Sequence, residues 1–268
     1  MSSQLTTRAV GDAVPERLAA YYEAADAGLV EDAVDQLAEN VIEGLQKPDE
    51  NEVEPRRIVS GREGMRAWLR DRGLAPARHE LLFCATEGAA CLVEGRMVSR
   101  ETGEPTTAFV SSFRMGSDGR IDRYVAYACE PYPELPYAGN GVPGDARQVV
   151  DAYFHHLDAG EFESAVDQFS PGLMYNHPPY RNTGITSNRR IVFRGHRELL
   201  QAFHHRGKAS FAHRMLDFMQ RGPNAMFRLV VEGMPGDTAE AVSTLSLGED
   251  GRIERYIAFM TVEAVPQS

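Results

Sequence analysis

The feature that most constrains this chain is an internal repeat. Residues 21–37 (YYEAADAGLVEDAVDQL) and residues 153–169 (YFHHLDAGEFESAVDQF) share the runs DAG and AVDQ, and they lie 132 positions apart. Close to the end of each repeat, DGRIDRYVAY at 118–127 and DGRIERYIAF at 250–259 keep the same spacing. Blocks that keep their order and spacing over a whole domain indicate a duplication, because chance similarity does not keep register over this length.

The two repeats meet in the segment EPYPELPYAGNGVPGD, residues 130–145. This segment contains four prolines and three glycines and has no apolar period, which is typical of a linker. We therefore expect a first domain at residues 1–130, a Pro/Gly linker at 131–145 and a second domain at 146–268. Each predicted domain is of a size that commonly forms its own hydrophobic core.

Composition excludes several classes of partner. The net charge of −11 argues against a nucleic-acid partner, because binding to phosphates needs a basic surface. There is no run of about 18 apolar residues and no charged start followed by an apolar stretch, so we expect no membrane segment, no signal peptide and a cytoplasmic location. The three cysteines form no CxxC pair, and we expect them to be small buried side chains rather than disulfides.

The order of secondary structure can be read from the second repeat. Apolar residues follow a helical spacing across residues 149–169, and Gly160 interrupts it, which predicts two helices. Gly195 opens a third helix, and four segments with strand character follow within residues 212–260. The dipeptide Asp-Gly at 250–251 predicts a tight hairpin between the last two strands. Helices followed by antiparallel strands predict an α+β fold with helices packed on one face of a sheet.

This order of elements resembles the SnoaL-like branch of the nuclear transport factor 2-like superfamily. Members include SnoaL polyketide cyclases, ketosteroid isomerase and scytalone dehydratase. The resemblance is carried by the helix pair with its AG break, the proline-bearing segment after it, the GxxxLxxxF helix and the DGRIxRY strand. It implies two tandem cone-shaped α+β barrel (cystatin-like roll) domains, each with N-terminal helices packed on a curved antiparallel sheet around one deep apolar cavity.

The resemblance also implies how the repeats associate. Family members often form dimers through the outer face of the sheet. We therefore expect the two repeats to form an intramolecular pseudo-dimer, and a homo-oligomer of whole chains stays open. The expected ligand is a small hydrophobic molecule in the cavity.

Histidines distinguish the two repeats. Seven of the eight histidines lie in the second repeat, and only His79 lies in the first. We therefore expect the second domain to be the active one and the first to be degenerate. The spacings of these histidines match no recognised metal-ligand pattern, so we expect no metal and no cofactor.

Three residues of the second repeat are the predicted catalytic groups. By resemblance to the isomerase-like members, Tyr153 on the first helix would donate a hydrogen bond to a developing oxyanion. His177 precedes Pro178 in the stretch where ketosteroid isomerase has its general base, and an imidazole can carry out the same proton transfer. His213 lies near the start of the first long strand, where scytalone dehydratase has an acid/base histidine.

Further residues are expected around the cavity. His156 lies three positions after Tyr153 on the predicted helix, and alternation places Tyr175 on the face of His177. Ser243 stands where ketosteroid isomerase has a protonated aspartate as second donor, so we do not expect that enzyme's mechanism. The predicted cavity or substrate-binding residues are His156, Tyr175, Arg228, Ser243 and Tyr256, and the possible first-domain counterparts of the catalytic residues are Tyr21, Glu43 and His79.

Three functions remain open from the sequence. The first is a cofactor-free acid/base enzyme that cyclises, isomerises or dehydrates an apolar, oxygenated, polyketide-like molecule. The second is a non-catalytic protein that binds a hydrophobic ligand in the same cavity, and the third is an interaction scaffold whose cavities are filled by side chains. Epoxide opening ranks lower, because Arg228 has no carboxylate partners that the sequence identifies.

Overall fold

The computed structural model describes residues 10–45, 57–129, 144–178, 190–233 and 239–261. Contacts within the chain divide it into two units, residues 1–133 with 265–268, and residues 134–264. Most of the predicted linker at 131–145 lies outside the described residues. No helix in the described ranges is long and apolar enough to span a membrane.

The first unit contains three helices and seven strands in its described part. In chain order they are β1 Val10–Gly11, α1 Glu16–Ala27, α2 Val30–Val34, β2 Leu37–Leu45, β3 Arg57–Ser60, α3 Gly61–Arg72, β4 Ala77–Glu87, β5 Ala90–Ser99, β6 Pro105–Met115 and β7 Ile121–Cys129. The strands form one sheet in the order β1-β4-β5-β6-β7-β2-β3.

The second unit repeats this order of elements, without a described counterpart of β1. Its elements are α4 Ala146–Ala159, α5 Phe162–Val166, β8 Phe169–His177, β9 Ile191–Arg194, α6 Gly195–Arg206, β10 Ala212–Arg221, β11 Asn224–Glu232, β12 Ala239–Leu247 and β13 Ile253–Thr261. The sheet order is β10-β11-β12-β13-β8-β9. The predicted pair of helices, the helix that begins at Gly195 and the four long strands are confirmed, and so is the tandem α+β fold class.

The sheets differ from the prediction in one respect, because they are mixed rather than antiparallel. In the second unit β8 pairs with β13 in the parallel direction, and in the first unit β2 pairs with β7 in the same way. The sequence analysis placed Tyr175 and His177 on one face by alternation but assigned no strand to this segment. It therefore missed a strand that lies beside the last strand of each unit and carries residues into the core.

The core of each unit lies between its helices and one face of its sheet. In the second unit Val150, Tyr153 and Leu157 of α4 belong to this core, together with alternate residues of β11 such as Phe227 and Leu229. This is the pattern expected for an amphipathic helix packed on a pleated strand. The three cysteines are buried as predicted, all in the first unit.

A glycine ends the first helix of each unit. Gly28 and Gly160 adopt left-handed backbone conformations with φ of 73° and 81°. Their N–H groups bond to carbonyls in the last turn of the helix, so each closes the helix as a C-cap. Side chains other than glycine rarely adopt this conformation, which explains why both copies of the DAG motif end in glycine.

The aspartate of each DAG motif links the first helix to the sheet. Asp26 accepts hydrogen bonds from the backbone N–H of His79 (2.8 Å) and from its Nδ1 (2.6 Å). Asp158 accepts the same two bonds from His213, at 2.9 Å and 2.7 Å. Because both units contain the same link, we infer that these two histidines have a structural role in each fold.

We predict that Asp26→Asn and Asp158→Asn each lower the free energy of unfolding by about 1–3 kcal/mol, because a charge-assisted pair of hydrogen bonds is weakened in each variant. Urea unfolding at neutral pH measures this change. The control is Asp71→Asn, which alters an exposed aspartate at the end of α3. Stability equal to that of the control in both variants would show that the links do not stabilise the fold.

Candidate functional site

A buried carboxyl group lies in the core of the first unit. Glu43 on β2 is 0% exposed, and its Oε1 accepts a hydrogen bond of 3.1 Å from the hydroxyl of Tyr21 on α1. The Tyr21 ring contacts the rings of Tyr22 and Tyr124 at 5.8 Å and 5.6 Å between centroids. One carboxyl and three phenols therefore lie together among apolar side chains, and we call these four residues the Glu43 cluster.

Local sequence explains how Glu43 enters the core. Side chains alternate along a strand, so Glu43 lies on the same face of β2 as the buried Val41. Tyr21 and Tyr22 come from consecutive positions of α1, and both are buried. Tyr124 lies directly opposite Glu43 in the parallel pair of β2 and β7.

Burial changes the protonation of Glu43. Loss of solvation raises the pKa of Glu43 to about 8, while the Tyr21 hydrogen bond and the charge of Arg72 act in the opposite direction. Burial also raises the pKa of Tyr21 and Tyr22 well above the ordinary value. The phenols therefore stay neutral donors, and the carboxyl group is mostly protonated at neutral pH.

One oxygen of this carboxyl group has no hydrogen-bond partner. Glu43 Oε2 is buried, and no described residue donates to it or accepts from it. A buried polar atom without a partner costs about 1–3 kcal/mol, so such atoms are rare and commonly belong to a functional group. This oxygen is the most direct sign of a site in the described part of the chain.

A serine extends the cluster on the β6 side. Ser111 is fully buried, and its Oγ accepts a hydrogen bond of 3.4 Å from the Tyr22 hydroxyl. Burial and the neighbouring Glu43 raise the pKa of Tyr124, and hydrogen bonds with Ser111 and Tyr22 oppose this increase. The first unit therefore offers several neutral hydroxyl donors near one carboxyl group.

The second unit has a cluster of similar shape without the carboxyl group. The hydroxyls of Tyr153 and Tyr175 lie 3.1 Å apart, and the Ser243 Oγ lies 3.1 Å from the Tyr256 hydroxyl. The rings of Tyr175 and Tyr256 stack at 4.8 Å. The structure therefore brings together four of the predicted residues of this unit, and each of their hydroxyls has a partner within the cluster.

The strand register identifies the counterpart of Glu43. Glu43 pairs with Tyr124, and Tyr175 pairs with Tyr256, which is the same position of the repeat. Glu43 therefore corresponds to Tyr175, whereas the sequence suggested it as the counterpart of His177. The sequence alone does not fix the alignment of the two repeats in this segment, and the strand pairs do.

His177 lies beside this second cluster, and its ring stacks on Tyr175 at 5.8 Å. Its Nδ1–H donates to the Pro178 carbonyl at 2.7 Å. Burial lowers the pKa of His177 to about 3, although the bond to the carbonyl opposes this change. An imidazole with so low a pKa is a weak proton acceptor at neutral pH, which reduces its value as a general base.

His213 and His156, the other two predicted site histidines, lie outside the cluster that Tyr153 and Tyr175 form with Ser243 and Tyr256. His213 stacks on Phe154 at 4.5 Å and gives its Nδ1 proton to Asp158. His156 lies 2.7 Å from the carboxylate of Glu161 and is partly exposed, so it does not share the buried face of Tyr153. His156, three positions after Tyr153, lies at the edge of the buried face of α4. The contact with Glu161 keeps its ring at that edge.

Arg228 corrects one sequence-based expectation. Its Nε lies 2.6 Å from Asp217 and its Nη1 lies 3.3 Å from Glu240, which is fully buried. Arg228 therefore has two carboxylate partners, although the sequence identified none. Alternation along β11 places it on the opposite face from Phe227, so it does not reach the core that contains Tyr153.

Sequence reasoning also missed two members of the Glu43 cluster and the arginine whose charge acts on it. Tyr22, Tyr124 and Arg72 received no role, although the doubled tyrosine in YYEAADAG and the repeated RY of the last strand were available as signals. Among the residues that the structure describes, no three His, Cys, Asp or Glu side chains converge as metal ligands.

One protein family matches part of the first unit. Residues 18–124, which lie within the first unit, are similar to the SnoaL-like domain family. The second unit is related to it by the internal repeat and by the same order of elements. A search of curated proteins gives no match.

Solved structures of similar fold each cover less than half of this chain. An NTF-2 like protein of unknown function from Burkholderia xenovorans is 18% identical, with 46% of this chain and 86% of that chain covered and a TM-score of 0.36. An NTF2-like protein of unknown function from Cytophaga hutchinsonii is 17% identical, with 44% and 90% covered and a TM-score of 0.34.

A third solved structure is that of an enzyme. SalBIII, an epoxide hydrolase/cyclase-like enzyme with a role in pyran ring formation in the polyether salinomycin, is 16% identical, with 42% of this chain and 88% of that chain covered and a TM-score of 0.33. At these identities and scores, none of the three structures bears on the activity of this protein.

We predict that Glu43→Gln makes the protein more stable than the wild type at high pH. Because burial raises the pKa of Glu43 from 4.5 to about 8, the unfolded chain releases this proton between these pH values and the folded chain retains it. The wild type therefore loses stability as the pH rises through this window, on the order of 3 kcal/mol by neutral pH, and the glutamine variant does not.

Urea unfolding of both proteins at pH 5 and pH 8 measures this effect, and the control is Glu39→Gln, which changes an exposed glutamate on the same strand. A stability difference between the Glu43→Gln protein and the wild type that is the same at both pH values would contradict the raised pKa.

Proposed function

We propose that the first unit carries out cofactor-free acid/base chemistry on an apolar, oxygenated small molecule, and that Glu43 transfers the proton. The observation that carries this proposal is the buried Oε2 atom of Glu43, which has no partner among the described residues. A substrate O–H or C–H group beside this atom would take the place of the missing partner. The SnoaL-like family is compatible with the proposal, but its fold alone does not specify a reaction.

The protonation of Glu43 suits this role. With a pKa of about 8, the carboxyl group is populated in both its acid and its base form near neutral pH. A group of this kind can remove a proton from one atom of a substrate and return it to another. The Tyr21 hydrogen bond fixes the orientation of the carboxyl group from its Oε1 side and leaves Oε2 for the substrate.

The neighbouring hydroxyls would stabilise charge on the substrate. Removal of a proton next to a carbonyl group places negative charge on the carbonyl oxygen, and neutral donors in a site of low dielectric constant stabilise that charge. Tyr124 is a phenol of this kind, whereas Tyr22 donates its hydroxyl hydrogen to Ser111 and so helps to fix the serine beside the site. Cyclisation, isomerisation and dehydration of a polyketide-like molecule all begin with such a proton transfer, and they are the reactions we propose.

The second unit supports a different role. Its phenols bond to each other and to Ser243, and Tyr175 occupies the position of the carboxyl group. Among the predicted catalytic residues of this unit, burial lowers the pKa of His177 to about 3, and the Nδ1–H group of His213 donates to Asp158. The second candidate function, non-catalytic binding of an apolar ligand, is favoured for this unit.

The proposal predicts that the wild-type protein accelerates the exchange of α-protons of an apolar ketone such as 2-tetralone in D₂O, as measured by proton NMR. Glu43→Gln is expected to lower the accelerated rate by at least about 100-fold, because the group that accepts the proton is lost. Tyr21→Phe is expected to lower it by about tenfold, because the carboxyl group loses its orienting bond.

The matched controls lie in the second unit. Tyr153→Phe removes the corresponding phenol, and His177→Ala removes the predicted imidazole base, and both variants are expected to keep the wild-type rate. A rate that survives Glu43→Gln and disappears in His177→Ala would move the activity to the second unit. Absence of exchange for a series of ketones of different size would favour the binding function.

A further inference from the structure

A second buried polar atom without a partner lies near the Glu43 cluster, on Arg72. This arginine is the last residue of α3, and its Nη2 donates a hydrogen bond of 2.9 Å to the backbone carbonyl of Ala25. Its guanidinium carbon lies 5.0 Å from the centre of the Trp68 ring. The Nε atom is buried, and none of the described residues accepts a hydrogen bond from it. An arginine N–H group can only donate, so the partner that suits this atom is an acceptor.

The first helix brings this guanidinium group near Glu43. Ala25 follows Tyr21 by four positions, so the two residues lie one turn apart on the same face of α1, and both are buried. The contact with Ala25 therefore places Arg72 one helical turn from the residue that donates to Glu43. Burial raises the pKa of Glu43 and of Tyr124, and the charge of Arg72 acts against this increase in both. The charge of Arg72 thus reaches the cluster.

The two atoms without partners differ in what they can bind. Glu43 Oε2 belongs to a carboxyl group that gives or takes a proton near neutral pH, whereas Arg72 Nε is a donor on a group that keeps its positive charge. Guanidinium groups form shorter and stronger hydrogen bonds with carboxylates than with neutral acceptors. Because Glu43 is mostly protonated at neutral pH, it adds little charge that would repel a carboxylate bound nearby. A molecule with a carboxylate and a separate transferable proton would suit both atoms.

The second unit has the arginine but a different residue at the position of Glu43. Arg206 ends α6 as Arg72 ends α3, and its guanidinium carbon lies 5.5 Å from the centre of the Phe203 ring. At the position of Glu43 this unit has Tyr175, whose hydroxyl lies 3.1 Å from that of Tyr153. Arg206 is therefore a matched control for Arg72, because it shares the position in the repeat without the buried carboxyl group.

We propose that the substrate of the Glu43 cluster is an apolar carboxylic acid that binds as its carboxylate. The Nε–H group of Arg72 donates to the carboxylate, and the proton that Glu43 transfers lies elsewhere on the same molecule. Arg72 determines specificity and takes no part in the proton transfer itself. This inference rests on the function proposed for the first unit and adds the class of substrate.

The test measures binding to the full chain at pH 7 by isothermal titration calorimetry. The probe is 2-naphthylacetate, and 2-naphthylacetamide is its neutral analogue of almost the same shape. We expect the acid to bind at least about tenfold more tightly than the amide, because only the acid forms a charge-assisted hydrogen bond with the guanidinium group. Since Arg72 is only partly buried, this preference is expected to decrease as the salt concentration rises.

Two variants separate the carboxylate contact from a structural role of the arginine. Arg72→Lys keeps the positive charge but removes the planar group that contains Nε–H, so the preference for the acid is expected to fall to about threefold or less. Arg206→Lys makes the same change in the second unit and is expected to keep the wild-type preference. A loss of fold stability would weaken the binding of both ligands together, whereas the ratio of the two affinities reports on the carboxylate contact.

Carbon-13 NMR of the side-chain carboxyl carbon of Glu43 locates the binding, and this signal is expected to move when 2-naphthylacetate is added. Equal affinity for acid and amide, no binding of the acid up to about 10 mM, or an unmoved Glu43 signal would each overturn the inference. So would an unchanged preference in Arg72→Lys or an equal loss of preference in Arg206→Lys.

The binding measurements do not depend on turnover, so the two proposals fail separately. Proton exchange that requires Glu43, together with equal affinity for acid and amide, would contradict the substrate class and support the proposed function. A preference for the acid that depends on Arg72, without any proton exchange, would contradict the proposed function and support the carboxylate contact.

Discussion

A carboxyl group inside an apolar core is the constraint on which the site in the first unit depends. An ionised carboxylate loses much of its solvation energy when it is buried, so the protein shifts its pKa and holds it mainly in the neutral form. The Tyr21 hydrogen bond and the charge of Arg72 offset part of this cost but do not restore an ordinary pKa. Glu43 is therefore retained in the core at the expense of stability, which is the usual mark of a residue kept for its chemistry.

The duplication allows the position of Glu43 to be compared between two units of one chain. Both units have the same helix pair, the same glycine cap and the same aspartate–histidine link between the first helix and the sheet. At the position of Glu43 the second unit has Tyr175, whose hydroxyl contacts that of Tyr153. Two copies of one scaffold thus place a titratable acid and a neutral phenol at the same point, and only the acid leaves an oxygen without a partner among the described residues.

Much of the fold could be predicted because the signals are local. The helical spacing around Tyr153, the glycine at 160 and the alternation within the late strands each depend on residues a few positions apart. The parallel strand that contains Tyr175 was missed, because its pairing with β13 joins segments about 80 positions apart that carry no shared pattern.

The candidate site was harder to predict for the same reason. The count of histidines favoured the second unit, but a histidine count contains no information on burial or on partners. His213 is held by an aspartate 55 positions away, and Arg228 meets Asp217 and Glu240 across neighbouring strands. Glu43 became a strong candidate only when the register placed it beneath Tyr21 and opposite Tyr124.

The protonation of Glu43 in the folded protein tests the central claim most directly. Carbon-13 NMR of protein labelled at the glutamate side-chain carboxyl carbon follows each glutamate as the pH is changed, and the Glu43→Gln protein identifies the signal of Glu43 by its absence. The account predicts one glutamate signal that titrates near pH 8, well separated from the exposed glutamates. A Glu43 signal that titrates near pH 4.5 with the others would show that the carboxyl group is solvated, and the account of the site would then be wrong.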